Sequence, residues 1–334
     1  MNNGFTTDIF PVQCGVRQGD PLSPLLFILA LEVLACQIRD NDKIRGIVVN
    51  NEEIKLTLFA DDMTCFLRDA TSYHRLMETL QVFSKLQVNN DKTEIFAIGG
   101  QKLYQKNFHH EVRTSIKILG IVFDYNTSLR MKANFDSIFK SIKDTLNMWK
   151  WRGLTLLGRI QIIKSFVIPK ILSKAAVIAV TDDFIKEINS LIYSFIWKGN
   201  DKIKRAALIN DIENGGLRML DIQSMIHSQR VMVLKKYADK EHISSWKIIL
   251  DFFLFRVGRD FILKCNFDTR KLPVYLPAFY KECLDAWTLL NESSVSSYSD
   301  VVHQVIWNNK FINVQKVSLY EEYNYVSEGN CYSW

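Results

Sequence analysis

Apolar residues along this chain recur with two different periods, and the change comes before residue 134. Upstream, short runs alternate apolar and polar positions. Ile54 to Phe59 (Ile-Lys-Leu-Thr-Leu-Phe) reads as a strand, and Thr64 to Leu67 resumes the pattern. Ile47-Val48-Val49 and Ile54 to Leu58, joined through Asn50-Asn51-Glu52, predict a hairpin, and Glu94 to Ile98 and Lys117 to Phe123 predict further strands. Two helices are interleaved with them. One starts at Asp20-Pro21 or Ser23-Pro24, where Asp or Ser caps free N–H groups and Pro tolerates the first helical position. It runs to about Arg39 and is apolar on nearly all sides, which predicts burial. The other spans His74 to Leu86, with Leu76, Leu80 and Phe83 spaced to face a sheet.

From Asn134 the period is helical. Phe135, Ile138, Phe139, Ile142, Leu146 and Trp149 recur on one face, and Leu156, Ile160, Ile163 and Val167 continue the theme before Pro169. A third helix follows Thr181-Asp182, with Ile185, Ile188, Ile192, Phe195 and Ile196 as its buried stripe. Asn200-Asp201-Lys202 reads as a linker, and Asn214-Gly215-Gly216-Leu217 as a turn into more helix. Beyond about residue 240 the chain is rich in aromatics without a readable motif. Strands mixed with helices, then helices alone, predict an α+β fold.

The 334 residues suffice for two or three domains, and a composition 48% hydrophobic argues against disorder. The start, Met1-Asn2-Asn3-Gly4, has no basic region followed by an apolar run, so no signal peptide is expected. Leu22 to Ala35 is too short to span a bilayer and is interrupted by Glu32. The expectation is a soluble intracellular protein, nuclear or cytoplasmic, with no membrane partner. Six scattered cysteines have no metal or disulfide spacing and are expected as thiols. Net charge is +6, yet residues 102–174 hold fourteen Lys or Arg against four Asp or Glu. A polyanion partner and a set of solvated helix faces both fit that excess.

Phe59-Ala60-Asp61-Asp62 is the segment richest in chemistry. Its two adjacent carboxylates fall at the turn between two strand runs, where like charges held close are costly unless water or a divalent cation neutralises them. Asp is also an ordinary turn residue. Context changes the weighing. Upstream stands Gly15-Val16-Arg17-Gln18-Gly19-Asp20-Pro21-Leu22-Ser23-Pro24, and downstream Leu86-Gln87-Val88-Asn89-Asn90-Asp91-Lys92-Thr93-Glu94.

In this order and spacing the three blocks resemble the palm of a reverse transcriptase from the non-LTR (LINE-type) retrotransposons. The resemblance implies a partial palm, an antiparallel sheet with packed helices, over residues 1–125. A helical thumb over 126–200 and a C-terminal helical region of unassigned role over 201–334 would follow. It implies an RNA-directed DNA polymerase acting on an RNA template, a DNA primer and deoxynucleoside triphosphates, with Mg²⁺. Asp61 would be the metal-ligating carboxylate and Asp62 its supporting neighbour, while Lys92 would sit near the triphosphate. Arg17, Gln18, Gly19, Phe59 and Ala60 would line the nucleotide and template pocket. Leu119 and Gly120, within Ile118-Leu119-Gly120-Ile121, would hold the primer end.

Trp149-Lys150-Trp151-Arg152, followed by Arg159, interleaves aromatics with cations as nucleic-acid grips do, which makes Lys150, Arg152 and Arg159 candidate contacts. Trp149 and Trp151 cannot both face one core, so at least one of them is expected as a surface or inter-domain contact. The family's third aspartate and its fingers come from further upstream, and Asp8 is too near the Gln-Gly block to serve. The chain is therefore expected to begin inside the palm and to be inactive alone, with a non-catalytic nucleic-acid binder as the alternative. The connection between Phe83 and Leu86 is shorter than the family's usual one and lacks its Gly, which is expected to shift the segment carrying Lys92.

Overall fold

A computed structural model of the chain describes residues 19–83, 88–98, 108–255 and 275–290, six residues between 258 and 272, and the backbone of 323–327 and 330–333. The chain divides into two compact units, one up to Arg113 and one from Thr114. Mixed helix and small sheets make the fold α+β.

The first unit runs α1 (Ser23–Asp40), β1 (Ile47–Val49), β2 (Glu52–Ile54), β3 (Leu56–Phe59), β4 (Asp62–Cys65), α2 (Ala70–Val82), β5 (Glu94–Phe96) and β6 (Glu111–Arg113). Strands β1 and β2 form a hairpin closed by Asn50 and Asn51, both at positive φ, the pairing that matches strand twist best. Asp69 caps α2 by accepting from the Ser72 N–H at 2.7 Å. Leu34, Ala35 and Ile38 of α1 pack with Ile44, Leu56, Leu76 and Leu80 into a small core. Lys55 is buried, and its ammonium donates to the carbonyls of Arg39 (2.7 Å) and Asn41 (2.9 Å), closing the C-terminal end of α1. Because β3 begins at the next residue, that clasp also sets where the β3–β4 hairpin starts.

Two expectations for this unit are corrected: Ile47–Val49 pairs with Glu52–Ile54 rather than with Ile54 to Leu58, of which Leu56 to Leu58 go instead to the next ribbon, and α1 is not buried all round. Only one stripe of α1 is buried, and Leu22, Leu25, Leu26, Ile28, Leu29 and Val33 at or along the helix are exposed. An all-round apolar helix needs partners on every side, and the elements of the small core meet only its C-terminal half. The shortened connection after Phe83 lies outside the described residues.

His110 is buried between Tyr73 and Asn90. Its Nε2–H donates to Asn90 Oδ1 (3.1 Å), leaving Nδ1 to accept from the Tyr73 hydroxyl at 2.8 Å. Burial, and then the neighbouring His109, hold its pKa below the ordinary 6.5. The unfolded chain therefore takes up the proton more readily. The stability this neutral ring contributes is complete above the unfolded value and is lost as pH falls through the folded one. Thermal stability of the first unit should thus fall on acidification below about pH 6.5, and His110→Gln should flatten that dependence. An unchanged pH profile in the variant would refute the assignment.

The second unit opens with β7 (Ser115–Ile118) and β8 (Ile121–Asp124) and continues in helices: α3 (Thr127–Lys150), α4 (Leu156–Ile162), α5 (Ile168–Ala175), α6 (Asp182–Trp197), α7 (Arg205–Ile209), α8 (Ile222–Ala238), α9 (Trp246–Leu254) and α10 (Ala278–Leu290). Ile138, Ile142 and Leu146 of α3 meet Ile160, Ile163, Ile168 and Ile171, and Ile188, Ile192 and Ile196 of α6. This is the stripe expected from the periodicity, with side-chain caps from Asn126, Thr155, Thr181 and Asp221 opening α3, α4, α6 and α8. A second cluster joins Leu234 and Tyr237 of α8 to Leu250, Leu254, Cys283 and Leu284. Pro169 does not end the helical run. A π turn at Ile163–Val167 widens the backbone ladder just where the proline ring would press on the carbonyl four residues earlier.

Three further expectations are corrected. Instead of one antiparallel sheet, the described strands form separate two-stranded ribbons, of which β5–β6 is parallel. The single strand expected over 117–123 is a hairpin, because Leu119 and Gly120 both take positive φ. In the C-terminal region expected to be helical, Tyr323–Ser327 and Asn330–Ser333, β9 and β10, pair antiparallel.

Candidate functional site

In the first unit the β3–β4 hairpin presents the carboxylates. Leu56 pairs with Cys65 and Phe59 with Asp62, so Ala60 and Asp61 form the two-residue turn and Asp62 is the first residue of the returning strand. Ala60 has φ +51, a left-handed value that a non-glycine residue adopts at a cost of ~1–2 kcal/mol. Phe59, Ala60, Asp61 and Asp62 are all exposed. No described residue makes a hydrogen bond or ion pair with either carboxylate. Their oxygens are hard donors suited to Mg²⁺. Among the described residues, however, no three His, Cys, Asp or Glu side chains are grouped to hold a metal ion.

Gly19 is exposed with φ +90, and open space surrounds the position a Cβ would take. Arg17 and Gln18 lie outside the described residues. Lys92 is exposed in the Asn89–Thr93 turn, where its backbone N–H donates to Asn89 Oδ1 at 3.2 Å.

In the second unit the Leu119–Gly120 tip is held from two helices. Asn134 of α3, only 1% exposed, takes both main-chain groups of Val122: its Oδ1 accepts from the N–H at 3.0 Å and its Nδ2 donates to the C=O at 2.9 Å. The carboxamide thus stands in for a third strand along the edge of β8. Lys174 of α5 donates to the Gly120 carbonyl, and its pKa is lowered, first by burial and then by Lys117. Leu119 is left exposed at the tip. Asn134 and Lys174 escaped the sequence reading. The only signal was a polar residue at the head of an apolar helical stripe.

At the C-terminal end of α3, Lys150 is exposed and the Arg152 guanidinium lies 4.4 Å over the Trp149 ring. Trp149 packs toward the core while Trp151 is exposed, the division expected for that pair. Arg159 has another task. It donates to the carbonyls of Ile196 (2.7 Å) and Leu154 (3.0 Å), tying α4 to the end of α6. Its guanidinium is committed inside the fold, so the candidate surface rests on Lys150 and Arg152.

From Lys117 to Lys174 this unit carries eleven Lys and Arg, and not one of them forms an ion pair with another described residue. Thr145 to Thr181 contains no Asp or Glu at all.

Residues 1–123 match the family model described as reverse transcriptase (RNA-dependent DNA polymerase). Relatives carry the likeness further along the chain. The transposon TX1 uncharacterized 149 kDa protein of Xenopus laevis is 24% identical over 316 residues, covering 89% of this chain and 24% of that protein. The Pol polyprotein from the type-1 retrotransposable element R2 of Popillia japonica is 26% identical over 202 residues, 57% of this chain and 28% of its own length. That of the type-2 element R2DM of Drosophila melanogaster is 34% identical over 102 residues, 30% of this chain and 9% of its own. The likeness is thus to proteins of non-LTR retrotransposons, with the reverse transcriptase match itself confined to residues 1–123. The chain spans about a quarter of the length of the first two relatives. The reverse transcriptase match takes in the carboxylate hairpin and most of β8, and the TX1 likeness covers most of the helical unit too. No helix among the described residues is long and apolar enough to cross a membrane.

Proposed function

We propose that this chain is a part of a reverse transcriptase that carries one wall of the nucleotidyl-transfer site and a helical grip for primer–template, and that alone it binds nucleic acid without extending it. The observation that carries the reading is the excess of cations from Lys117 to Lys174, none of them ion-paired with a described residue, of which Lys150 and Arg152 stay exposed at the end of α3. Eleven cations against three aspartates on one segment leave a net positive field whose self-repulsion a phosphate backbone relieves.

On this reading residues 1–125 are palm and 126–200 thumb. Asp61 would hold Mg²⁺, with Asp62 beside it. When bound, the metal ions supply the Lewis acidity that activates a primer hydroxyl and stabilises the leaving pyrophosphate. Two carboxylates offer at most four oxygens, so the pair cannot supply the whole shell of two ions. A carboxylate from another strand is required. Lys92 would offset charge on the triphosphate, Gly19 with Arg17, Gln18, Phe59 and Ala60 would border the nucleotide, and Leu119–Gly120 would meet the primer end.

The test is anisotropy of a labelled primer–template duplex titrated across salt, with primer extension on an RNA template run in parallel. Binding should weaken steeply with salt. The Lys150→Ala/Arg152→Ala variant should lower the log–log slope by about two, and Asp61→Ala should leave it unchanged. No extension is expected with Mg²⁺. Absence of binding at low salt would defeat the reading, and extension abolished by Asp61→Ala would show a complete polymerase.

A further inference from the structure

Trp151 is 89% exposed at the residue that caps α3, flanked in sequence by Lys150 and Arg152. A single exposed aromatic is unremarkable in itself, but the way this one is held differs from a loose surface ring. Its neighbour Trp149 is drawn into the fold against Phe166, with ring centroids 5.9 Å apart, and carries Arg152 stacked on its outer side. The backbone is pinned on both sides of the stack. The Arg152 N–H donates to the Trp149 carbonyl (3.2 Å) and the Leu154 N–H to the Arg152 carbonyl (2.7 Å). The guanidinium that could have covered Trp151 is thus engaged elsewhere, and no described side chain stacks on or hydrogen-bonds to the indole.

The surroundings select the occupant. An acid-free stretch from Thr145 to Thr181 disfavours a basic partner, and an acidic peptide would answer the cations but would have no use for an open indole face. A nucleic-acid strand answers both, since it offers phosphates to Lys150 and π faces to Trp151. Within a duplex each internal base is already covered on both sides. An indole can stack only on an unpaired or terminal base.

Resting on the nucleic-acid reading above, we infer that Trp151 is a nucleobase-stacking contact for a single-stranded segment, with Lys150 and Arg152 beside it on the phosphates. Stacking and phosphate contact can be separated. A labelled single-stranded oligonucleotide and an abasic strand of the same length carry the same charge, and only the first has bases to stack. The full chain should bind the base-bearing strand roughly 5- to 100-fold more tightly at fixed salt. Trp151→Ala should bring that ratio toward one with the salt slope unchanged, and Trp151→Phe should retain part of it. Lys150→Ala/Arg152→Ala should do the reverse, lowering the slope and keeping the ratio. A Trp151→Ala protein that still discriminates as the parent does would overturn the stacking contact while leaving the grip intact. Failure of the parent to bind either strand at low salt would also overturn the stacking contact, and the grip falls with it only if the primer–template duplex is not bound either.

Discussion

Arg230→Met should lower the unfolding free energy of the helical unit by about 3–5 kcal/mol, the cost of removing one partner from a buried ion pair. Arg230 is fully buried on α8. It donates from Nε to Glu282 of α10 at 3.0 Å, from Nη2 to the Ile178 carbonyl at 2.8 Å, and from Nη1 to the Ala175 carbonyl, while its guanidinium lies 4.3 Å over the Phe279 ring. Glu282 in turn accepts from the Val180 N–H at 2.7 Å. Four groups from two places in the chain therefore depend on one side chain. Removing it strands two carbonyls and a carboxylate whose pKa burial already raises against the opposing pull of Arg230. Glu282→Gln, which keeps the shape and the Val180 contact, should cost less than half as much. Because α10 reaches the end of α5 through this junction, the Arg230→Met protein should also be cut by protease within residues 275–290 well before the parent. A chemical-denaturation midpoint within error of the parent's would refute the account.

Gly216→Ala should cost about 2–4 kcal/mol, well above the roughly 1 kcal/mol expected for Gly215→Ala. The two glycines do different things. Gly215 takes φ +75 with open space where a Cβ would go, so alanine there meets only the backbone preference. At Gly216 a Cβ would lie 2.0 Å from the Asn210 carbonyl oxygen and 2.7 Å from its Cα, which is main chain and has no rotamer to change. Relief requires parting 208–211 from 216–219. That would loosen the bonds from the Leu217 and Met219 N–H groups to the Leu208 carbonyl and from Arg218 N–H to Asn210. Leu208 and Met219 are both buried in the main core, so the damage does not stay in the loop. Thermal melts of the two variants side by side decide the matter, and a Gly215→Ala loss equal to or larger than the Gly216→Ala loss would contradict the geometry.

Local information made much of the architecture legible. The stripe from Phe135 to Leu146, the cap at Thr181 and the alternation from Leu56 to Phe59 all concern residues a few positions apart. There, periodicity and hydrogen bonding to the nearest backbone leave few choices. The carboxylate turn was readable for the same reason, since a hairpin's tip follows from where two alternating runs meet. What escaped was set by partners far away in sequence. Arg230 and Glu282 stand 52 residues apart, and nothing near either one says that a charged side chain will be buried. Arg159 reads as a surface cation in a basic run until α6 brings the Ile196 carbonyl to it. The bare face of α1 is the converse, an apolar helix whose burial depended on neighbours that its own sequence does not specify. Sequence by itself determined the helical stripes from Phe135 to Ile196, the carboxylate tip and the sign of the charge along Lys117 to Lys174. Only the tertiary structure decided which of those cations are occupied within the fold and which remain for a partner. That outcome depends on which carbonyls and rings arrive within about 3–4 Å of each side chain, a property of packing rather than of any local pattern.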